Sequence, residues 1–349
     1  MVGKRGLILI TCQNPDCAYF QIEEGKDITK NGHNKAGNQQ YYCHHCGKYF
    51  IETRNTPLYH SRLPRSEVLI IAKHAMEKTS IRGVSRVINH HRDTISRYYH
   101  LIGEHAEKLN DHYIRDIPAG DCEMDEIWGF IQKKNKNLQM NDPEEYGDCW
   151  TYTSFKRESG LFIAFQTGKR IESTCADMLD LFFDRMNLPT PNEKISIYSD
   201  GNVQYTICIP ELYCEPCINY GQLVKVKKKN SLVCVIREKV LGNPHVSSIS
   251  TSVVEGYNNK IRQRLSRFGR KTASFSKKTQ GFIAALNIFQ FVHNFIEVKN
   301  DLQSPAMIES ITDHPMELAG VFKSSCSVIM WVNTQKSAYP ASEPDILRD

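Results

Sequence analysis

Two closely spaced pairs of cysteines near the amino terminus place the strongest constraint on how this chain folds. Four residues separate Cys12 from Cys17, and two separate Cys43 from Cys46. Structural zinc takes four tetrahedral ligands, and short cysteine spacings on two tight turns supply them. A segment this short buries little core, so the metal would provide most of its stability. The pattern predicts a Zn²⁺ ribbon over residues 1–58; a set of unrelated buried thiols is the alternative.

The remaining cysteines and the apolar segments bear on the compartment. Twelve cysteines could form disulfides, but the apolar run at residues 6–10 is too short for the core of a signal peptide. Cys214 and Cys217, with Cys208 nearby, lack a further pair, which favours buried or surface thiols over a second metal site. The apolar stretch 282–296 is too short and too polar to span a membrane. We expect a cytoplasmic, nucleoid-associated protein without a membrane partner.

Three short helices are predicted after the cysteine segment. Their apolar positions favour helices over residues 66–77, 81–88 and about 93–103. This succession of three short helices resembles a helix-turn-helix domain over residues 62–112, whose last helix would enter the major groove of DNA. An ordinary three-helix connector with solvated arginines is the alternative. The candidates for base or phosphate contact on the last helix are Arg92, Thr94, Ser96 and Arg97.

From about residue 117 the pattern changes to that of an α/β domain. Strands are predicted at residues 122–132, 150–155, 161–167 and 195–198, and a helix at 171–186. Three strands, a helix and a further strand is the order expected of a ribonuclease-H-like catalytic core, here over residues 117–298. An insertion at about 203–250 is predicted to form a β-hairpin, and residues 299–349 a C-terminal tail. The fold class is therefore multidomain: zinc ribbon, all-α helix-turn-helix and α/β core.

Three acidic residues stand out by their placement in that core. Asp125 lies in the middle of the first predicted strand, Asp200 at the carboxyl end of the fourth, and Glu255 in the first turn of a long helix. Breaking a phosphodiester takes two divalent cations roughly 4 Å apart, which carboxylate oxygens bind. Each residue also has a structural explanation, since Glu255 could complete a capping box after Ser252 and Asp200 could form a turn. The combination predicts a catalytic site for Mg²⁺ or Mn²⁺.

Basic residues are concentrated in two places, although the formal net charge is only +5. One group lies at residues 225–229 and the other at 260–278. Such local patches suit a phosphate backbone, and solvated faces are the alternative for either one. The candidates for DNA contact in this half of the chain are Lys227, Lys228, Asn258, Arg262, Arg264, Arg267, Arg270 and Lys271.

The chain resembles prokaryotic transposases of the insertion-sequence-one type, which carry two catalytic aspartates and a glutamate. The resemblance covers nearly its whole length, and the helix of Glu255 with its basic continuation is the most specific part. The motifs that carry it are the cysteine pairs and residues 38–43, 124–128, 198–201, 254–278, 304–307 and 311–314. The resemblance implies that Asp125, Asp200 and Glu255 bind the metal. It also implies that the zinc ribbon and helix-turn-helix recognise terminal inverted repeats.

The function that follows is metal-dependent DNA strand cleavage and strand transfer. The expected partners are double-stranded DNA, as element ends and target, and further copies of the chain, since two ends must be paired; no small-molecule substrate is expected. Three alternatives stay open: a zinc-ribbon and helix-turn-helix regulator without catalysis, a nuclease limited to hydrolysis, and a zinc-stabilised scaffold for other proteins.

Overall fold

The computed structural model describes residues 11–20, 27–35, 37–212, 215–229, 231–299 and 302–322. Cys214 lies outside them, as does the predicted tail beyond 322, and the side chain of Lys227 is not described either. The chain divides after Tyr59 into two compact units, the second being His60–Val321. The fold is α/β, as predicted. None of the described helices combines the length and the apolar character that crossing a membrane requires.

The first unit contains a small antiparallel sheet beside the cysteines. Its strands are β1 (Ile28–His33), β2 (Gln39–Cys43) and β3 (Tyr49–Ile51), in that spatial order. Strand β2 ends at Cys43, the first member of the second cysteine pair, and β3 begins three residues after Cys46. Tyr41 and Phe50 pair across them and their rings stack with centroids 5.5 Å apart. The core of this unit is therefore the four cysteines and a few aromatic side chains.

The second unit combines helices with one mixed sheet. Its helices are α1 (Arg65–Ala75), α2 (Ile81–Ile88), α3 (Arg92–Tyr113), α4 (Glu172–Arg185), α5 (Val203–Leu212), α6 (Ser252–Arg264), α7 (Thr279–Phe291), α8 (Pro305–Ile308) and α9 (Leu318–Val321). Its strands are β4 (Asp121–Ile131), β5 (Gly147–Lys156), β6 (Phe162–Gly168), β7 (Ile195–Asp200), β8 (Ile218–Lys228) and β9 (Ser231–Leu241). The spatial order is β6-β5-β4-β7-β8-β9, with β7 parallel to both neighbours and the other pairs antiparallel.

Helix α3 is much longer than predicted, because Gly103 does not end it. A Cβ at Gly103 would lie 2.5 Å from the Cβ of Ala284, so the missing side chain lets α7 approach α3 closely. Beyond this point Leu109 is buried, and Asn110 donates a hydrogen bond of 3.0 Å to the carbonyl of Asn287. The third helix of the predicted DNA-binding module is thus packed into the core of the second unit.

The predicted hairpin forms, but it is not a separate insertion. Strand β8 pairs with β7 from Ile195 opposite Ile218 to Asp200 opposite Leu223, so the hairpin continues the main sheet. Strand β9 forms the outer edge, and its first nine residues are exposed. The sequence pattern located the two strands and could not show which neighbour they join.

Helix α6 is the helix predicted to carry Glu255, and it packs on the sheet through apolar residues. Val254 and Ile261 are buried, while Tyr257 is only half-buried. The helix ends at Arg264, and the apolar residues Leu265 and Phe268 follow in a short 3₁₀ turn that keeps them buried. The observed helix is therefore shorter than the run of apolar positions, which continues to Phe268.

Candidate metal centres

The first unit brings its four predicted zinc ligands together. The sulfurs of Cys12, Cys17, Cys43 and Cys46 all lie within 4.8 Å of one another. The Sγ atoms of Cys12 and Cys46 are 3.6 Å apart, and those of Cys17 and Cys43 are 3.9 Å apart. A tetrahedron with Zn–S bonds of about 2.3 Å has S···S edges of about 3.8 Å. The group thus has the size of a tetrahedral thiolate site for one metal ion.

Local turns build this site, as the spacing of the cysteines requires. Gly47 has a φ of +67°, which favours glycine, and its N–H donates to the carbonyl of Cys43 at 2.9 Å. In the first turn, the N–H of Cys17 donates to the carbonyl of Asn14 at 3.0 Å. Each pair of sulfurs is therefore fixed by backbone hydrogen bonds within a few residues.

The pKa values of these thiols are shifted in different directions. Burial raises the pKa of Cys12 and also that of Cys17. For Cys46 burial opposes ionisation, but hydrogen bonds from the backbone of Lys48 and from the other thiols lower its pKa to about 7. His45 is not part of the sulfur group, although its Nδ1 lies 3.4 Å from the sulfur of Cys17. The donor set is four soft sulfurs with one easily ionised member, which fits a soft or borderline cation.

The second unit brings together three carboxylates at one end of the parallel strands. Oxygens of Asp125, Glu126 and Asp200 lie within 4.8 Å of one another. Met124 pairs with Ser199 across β4 and β7, which puts Asp125 beside Asp200. This is the carboxyl end of β7, the edge at which open α/β sheets usually bind ligands. Two of the three predicted catalytic acids are thereby adjacent.

Glu126 was missed by the sequence reasoning, because neighbours on a strand point to opposite faces of a sheet. The strand β7 ends at Asp200, whereas β4 runs on to Ile131. Beyond the end of β7 the longer side chain of Glu126 meets Asp200 and accepts a hydrogen bond from Asn202. The sequence signal that could have identified Glu126 is that Asp125 and Glu126 are adjacent acids on β4, and that the neighbouring strand β7 also ends at an acid, Asp200.

The carboxylates of this group repel one another in a poorly hydrated place. Burial, and then the charge of Asp200, raise the pKa of Asp125 to about 6 and that of Glu126 to about 8. Burial also raises the pKa of Asp200. The nearest compensating cation for Glu126 is Arg170, whose Nη2 lies 3.4 Å from its Oε2. Three crowded oxygen donors with raised pKa values are a donor set that a hard divalent cation would satisfy.

Helix α6 is held against this site by a buried carboxylate on β4. Glu123 is fully buried, and its Oε2 accepts hydrogen bonds from the N–H groups of Val253 at 2.8 Å and Val254 at 2.9 Å. These are amide groups that the first turn of a helix leaves unpaired, and a carboxylate there is also favoured by the helix dipole. Arg157 balances the charge by donating to Glu123 Oε1 at 3.0 Å. Glu123 therefore sets the position of the helix that carries Glu255.

Glu255 lies near the three carboxylates without joining their group. Burial is the largest cause of the raised pKa of Asp125 and of Asp200, and the charge of Glu255 makes a smaller contribution to both. The carboxylate of Glu255 forms an ion pair with Lys225 of β8 and accepts a hydrogen bond of 3.0 Å from the hydroxyl of Thr251. The Glu255 side chain is 42 % exposed. The capping box with Ser252 does not form, since Thr251 is the residue that precedes the helix.

Two further α6 residues face the acidic group. Asn258 donates a hydrogen bond of 2.9 Å from Nδ2 to Asp125 Oδ2, and Thr153 fixes its amide by donating to Asn258 Oδ1 at 3.2 Å. The guanidinium of Arg262 is half-buried, and its Nη1 is buried without a hydrogen-bond partner in the described part of the chain. Burial and the nearby Arg270 lower the Arg262 pKa. Arg262 thus keeps a free donor close to Asp125.

The other predicted DNA-contact residues fall into three groups: paired within the protein, half-buried, and exposed. Arg264 has partners within the protein, as it donates to the Met76 carbonyl at 2.7 Å and pairs with Glu77 and Glu297. Arg267 donates to Ser276 at 2.9 Å. The residues Thr94 and Ser96 are half-buried. Those with exposed side chains are Arg92, Arg97, Lys228, Arg270 and Lys271.

Comparison with known proteins adds no identification. No protein-family model matches the chain, and no curated protein matches it.

Proposed function

We propose that this protein is a transposase that cleaves DNA strands and joins them to new sites with the help of divalent metal ions. The observation that carries the proposal is the convergence of Asp125, Glu126 and Asp200 at the carboxyl end of a parallel strand. Carboxylates alone, without sulfur or imidazole, are the donors preferred by Mg²⁺ and Mn²⁺. The arrangement around β4 and β7 also supports the finer proposal of a ribonuclease-H-like core.

The residues that would hold the metal ions are Asp125, Glu126 and Asp200, joined by Glu255. A bound pair of divalent ions supplies activation of the attacking oxygen and stabilisation of the leaving oxygen. Asn258 orients Asp125 through its hydrogen bond of 2.9 Å. Arg262, with its unpaired buried Nη1, is placed to donate to a phosphate oxygen of DNA bound at this site.

Glu255 must exchange partners to act as a ligand. In the structure Glu255 forms an ion pair with Lys225, and the Glu255 charge also contributes to the raised pKa values of Asp125 and Asp200. Surface ion pairs contribute only about 0–1 kcal/mol, so breaking this one costs little. We infer that the Lys225 contact holds Glu255 until positive charge at the acidic group offers it a stronger partner.

The remaining modules fit the recognition of DNA. We infer that the cysteine group holds Zn²⁺ as the core of a zinc ribbon, and that α1–α3 form the helix-turn-helix. The partners are double-stranded DNA at the element ends and the target, with a second copy of the chain to pair two ends. The place of action is the nucleoid in the cytoplasm.

Strand cleavage and joining test the proposal directly. The substrate is a plasmid carrying the DNA that flanks the coding sequence on both sides, with Mg²⁺ or Mn²⁺ added. Wild-type protein is compared with Glu255→Gln, which keeps the hydrogen bond from Thr251 and loses the anionic ligand. We expect cleaved and joined products from the wild type, and DNA binding without either product from the variant. Equal activity of the two proteins would show that Glu255 is not a ligand, and cleavage without joining would favour a nuclease.

A second candidate is a DNA-binding regulator without catalysis. The ion pair between Glu255 and Lys225 favours it, because a carboxylate neutralised in this way need not bind metal. Binding of the flanking DNA with neither cleavage nor joining under Mg²⁺ or Mn²⁺ would support this candidate over the transposase.

A further inference from the structure

A basic groove lies on the second unit, apart from the acidic group. It is a cavity of about 780 Å³ between the α1–α3 helices and residues 265–281, the segment that follows α6. Its lining contains six cationic side chains and one carboxylate, that of Asp93. The cationic residues are Arg82, Arg86 and Arg92 on the helical wall and Arg267, Lys277 and Lys278 on the other. Such an excess of positive charge on facing walls favours a polyanion that runs between them.

Most of these cations are available for a ligand. Arg82, Arg86, Lys277 and Lys278 are exposed, and none of them has an ion-pair partner within the described part of the chain. Arg267 differs, since it donates to Ser276 and its guanidinium lies 5.0 Å from the ring centroid of Tyr99. The wall formed by residues 265–281 therefore combines one guanidinium held by Ser276 and Tyr99 with two exposed ammonium groups.

The groove also offers aromatic and apolar surface. Phe275 lines it and is half-buried, with its ring centroid 5.3 Å from that of Phe130. Ile71 and Val84 contribute apolar lining on the helical side. Proteins that bind single nucleic-acid strands combine cations for the backbone with aromatic rings for the bases. An acidic protein segment would use the cations but would have no need of an aromatic ring in the lining.

The shape of the groove excludes a duplex from this side of α3. Reading a duplex requires a helix to enter a major groove about 12 Å wide. Ser96 and His100, however, face residues 265–281, and the His100 ring lies 3.6 Å from where a Cβ at Gly281 would stand. The cavity volume is within the roughly 300–1,000 Å³ of pockets that enclose one small ligand, which is room for a few nucleotides.

We propose that this groove binds a single DNA strand, with phosphates on the cations of both walls and a base against Phe275. The identity of that strand, as one separated at a cleaved element end, rests on the proposed function; the binding itself does not. The groove wall at residues 265–281 follows α6, the helix of Glu255 and Arg262, directly in the chain.

Fluorescence anisotropy tests this proposal. The full-length, zinc-loaded protein carries Asp125→Asn to silence cleavage, and no divalent ion is added. The probes are a labelled mixed-sequence oligonucleotide and the duplex of the same sequence. The groove variant combines Arg82→Ala with Lys277→Ala, one residue from each wall. Its control combines Lys108→Ala with Lys136→Ala, which removes two exposed cations outside the groove.

We expect the single strand to bind more tightly than the duplex. The groove variant should weaken it about tenfold or more and reduce the slope of log affinity against log salt by about 1.4, while the control stays within about twofold. Phe275→Leu, which keeps an apolar side chain against Phe130, should weaken binding several-fold at every salt concentration. Tighter binding of the duplex, or equal losses in groove and control variants, would overturn the proposal.

Two further outcomes are informative. Displacement of the strand by an oligoglutamate peptide at equal charge concentration would assign the groove to an acidic protein instead. The binding assay uses Asp125→Asn without divalent ions. Its result therefore does not depend on whether the wild-type protein cleaves DNA. Conversely, a protein that cleaves and joins DNA but shows no groove-dependent strand binding would contradict this inference alone.

Discussion

The cysteine group and the carboxylate group both crowd acidic side chains into a small volume, yet the chain assembles them differently. The sulfurs come from two local turns, so the spacing of Cys12 from Cys17 and of Cys43 from Cys46 specifies the site. The carboxylates of Asp125 and Asp200 come from strands that meet only through the topology of the sheet. Sequence spacing therefore identified all members of the first group, whereas placement on predicted strands identified only two of the three members of the second.

The two groups also differ in how the surrounding fold depends on them. The first unit has little core besides its cysteines, whereas the second contains an extensive buried core around a six-stranded sheet. Metal binding should thus be inseparable from folding in the first unit and separable from it in the second. Substitutions in the two groups should therefore affect folding and activity differently.

Removing two sulfurs should produce the largest effect. In Cys43→Ser combined with Cys46→Ser, loss of zinc removes a binding free energy of about 10–16 kcal/mol and unfolds the first unit. The second unit should stay folded. Zinc content by atomic absorption and limited proteolysis report the two results, with Cys234→Ser, an exposed cysteine, as the control. Unchanged zinc content in the double variant would rule out this site.

Removing one carboxylate should abolish activity without harming the fold. Asp200→Asn keeps the shape of the side chain and relieves repulsion with Asp125 and Glu126, so the melting temperature should be unchanged or higher. Strand cleavage should fall by more than about 100-fold, since a metal ligand is lost. The exposed Asp180→Asn is the matched control. Loss of folding in Asp200→Asn would contradict the contrast between the two groups.

The raised pKa values predict that stability depends on pH. Burial and Asp200 raise the pKa of Glu126 to about 8, so the folded protein retains a proton that the unfolded chain loses near pH 4.5. Without added Mg²⁺ or Mn²⁺, this contribution is complete below pH 4.5 and disappears as pH rises to about 8. With these pKa values it is on the order of 5 kcal/mol.

Thermal unfolding of zinc-loaded protein between pH 4.5 and 8 measures this effect. Glu126→Gln should flatten the decline in melting temperature, and the exposed Glu158→Gln should leave it unchanged. A decline of the same slope in Glu126→Gln would show that the burial of Glu126 is not its cause.

The smallest effect is expected at the ion pair of Glu255. Lys225→Met frees Glu255 from its partner, and exposed pairs contribute about 0–1 kcal/mol. The apparent affinity for Mn²⁺ should therefore rise by no more than about fivefold. Titration of the protein with Mn²⁺ measures this, with Lys228→Met as the control. A weaker affinity in Lys225→Met would mean that Lys225 supports the site instead of withholding Glu255.

The sequence predicted the local features well and the tertiary ones in part. Apolar periodicity placed α6 and the strands of Asp125 and Asp200, because those patterns reflect burial against one sheet. The sequence pattern wrongly ended α3 at Gly103. That glycine is explained by the close approach of α7, which is a tertiary contact that the sequence does not show. The pattern did not place Glu126 in the site, because neighbouring residues on a strand point to opposite faces, and this rule fails where the adjacent strand stops. The ion pair of Glu255 with Lys225 depends on how β8 joins the sheet, which spacing along the chain does not encode.

Direct measurement of Mn²⁺ binding tests the central claim, that the carboxylate group is a divalent metal site distinct from the cysteine group. Zinc-loaded wild type, Asp125→Asn and Asp180→Asn are titrated with Mn²⁺, and free Mn²⁺ is followed by electron paramagnetic resonance. We predict saturable binding to the wild type and to Asp180→Asn, strong weakening in Asp125→Asn, and unchanged zinc content in all three. Equal binding by wild type and Asp125→Asn, or none by the wild type, would contradict the claim.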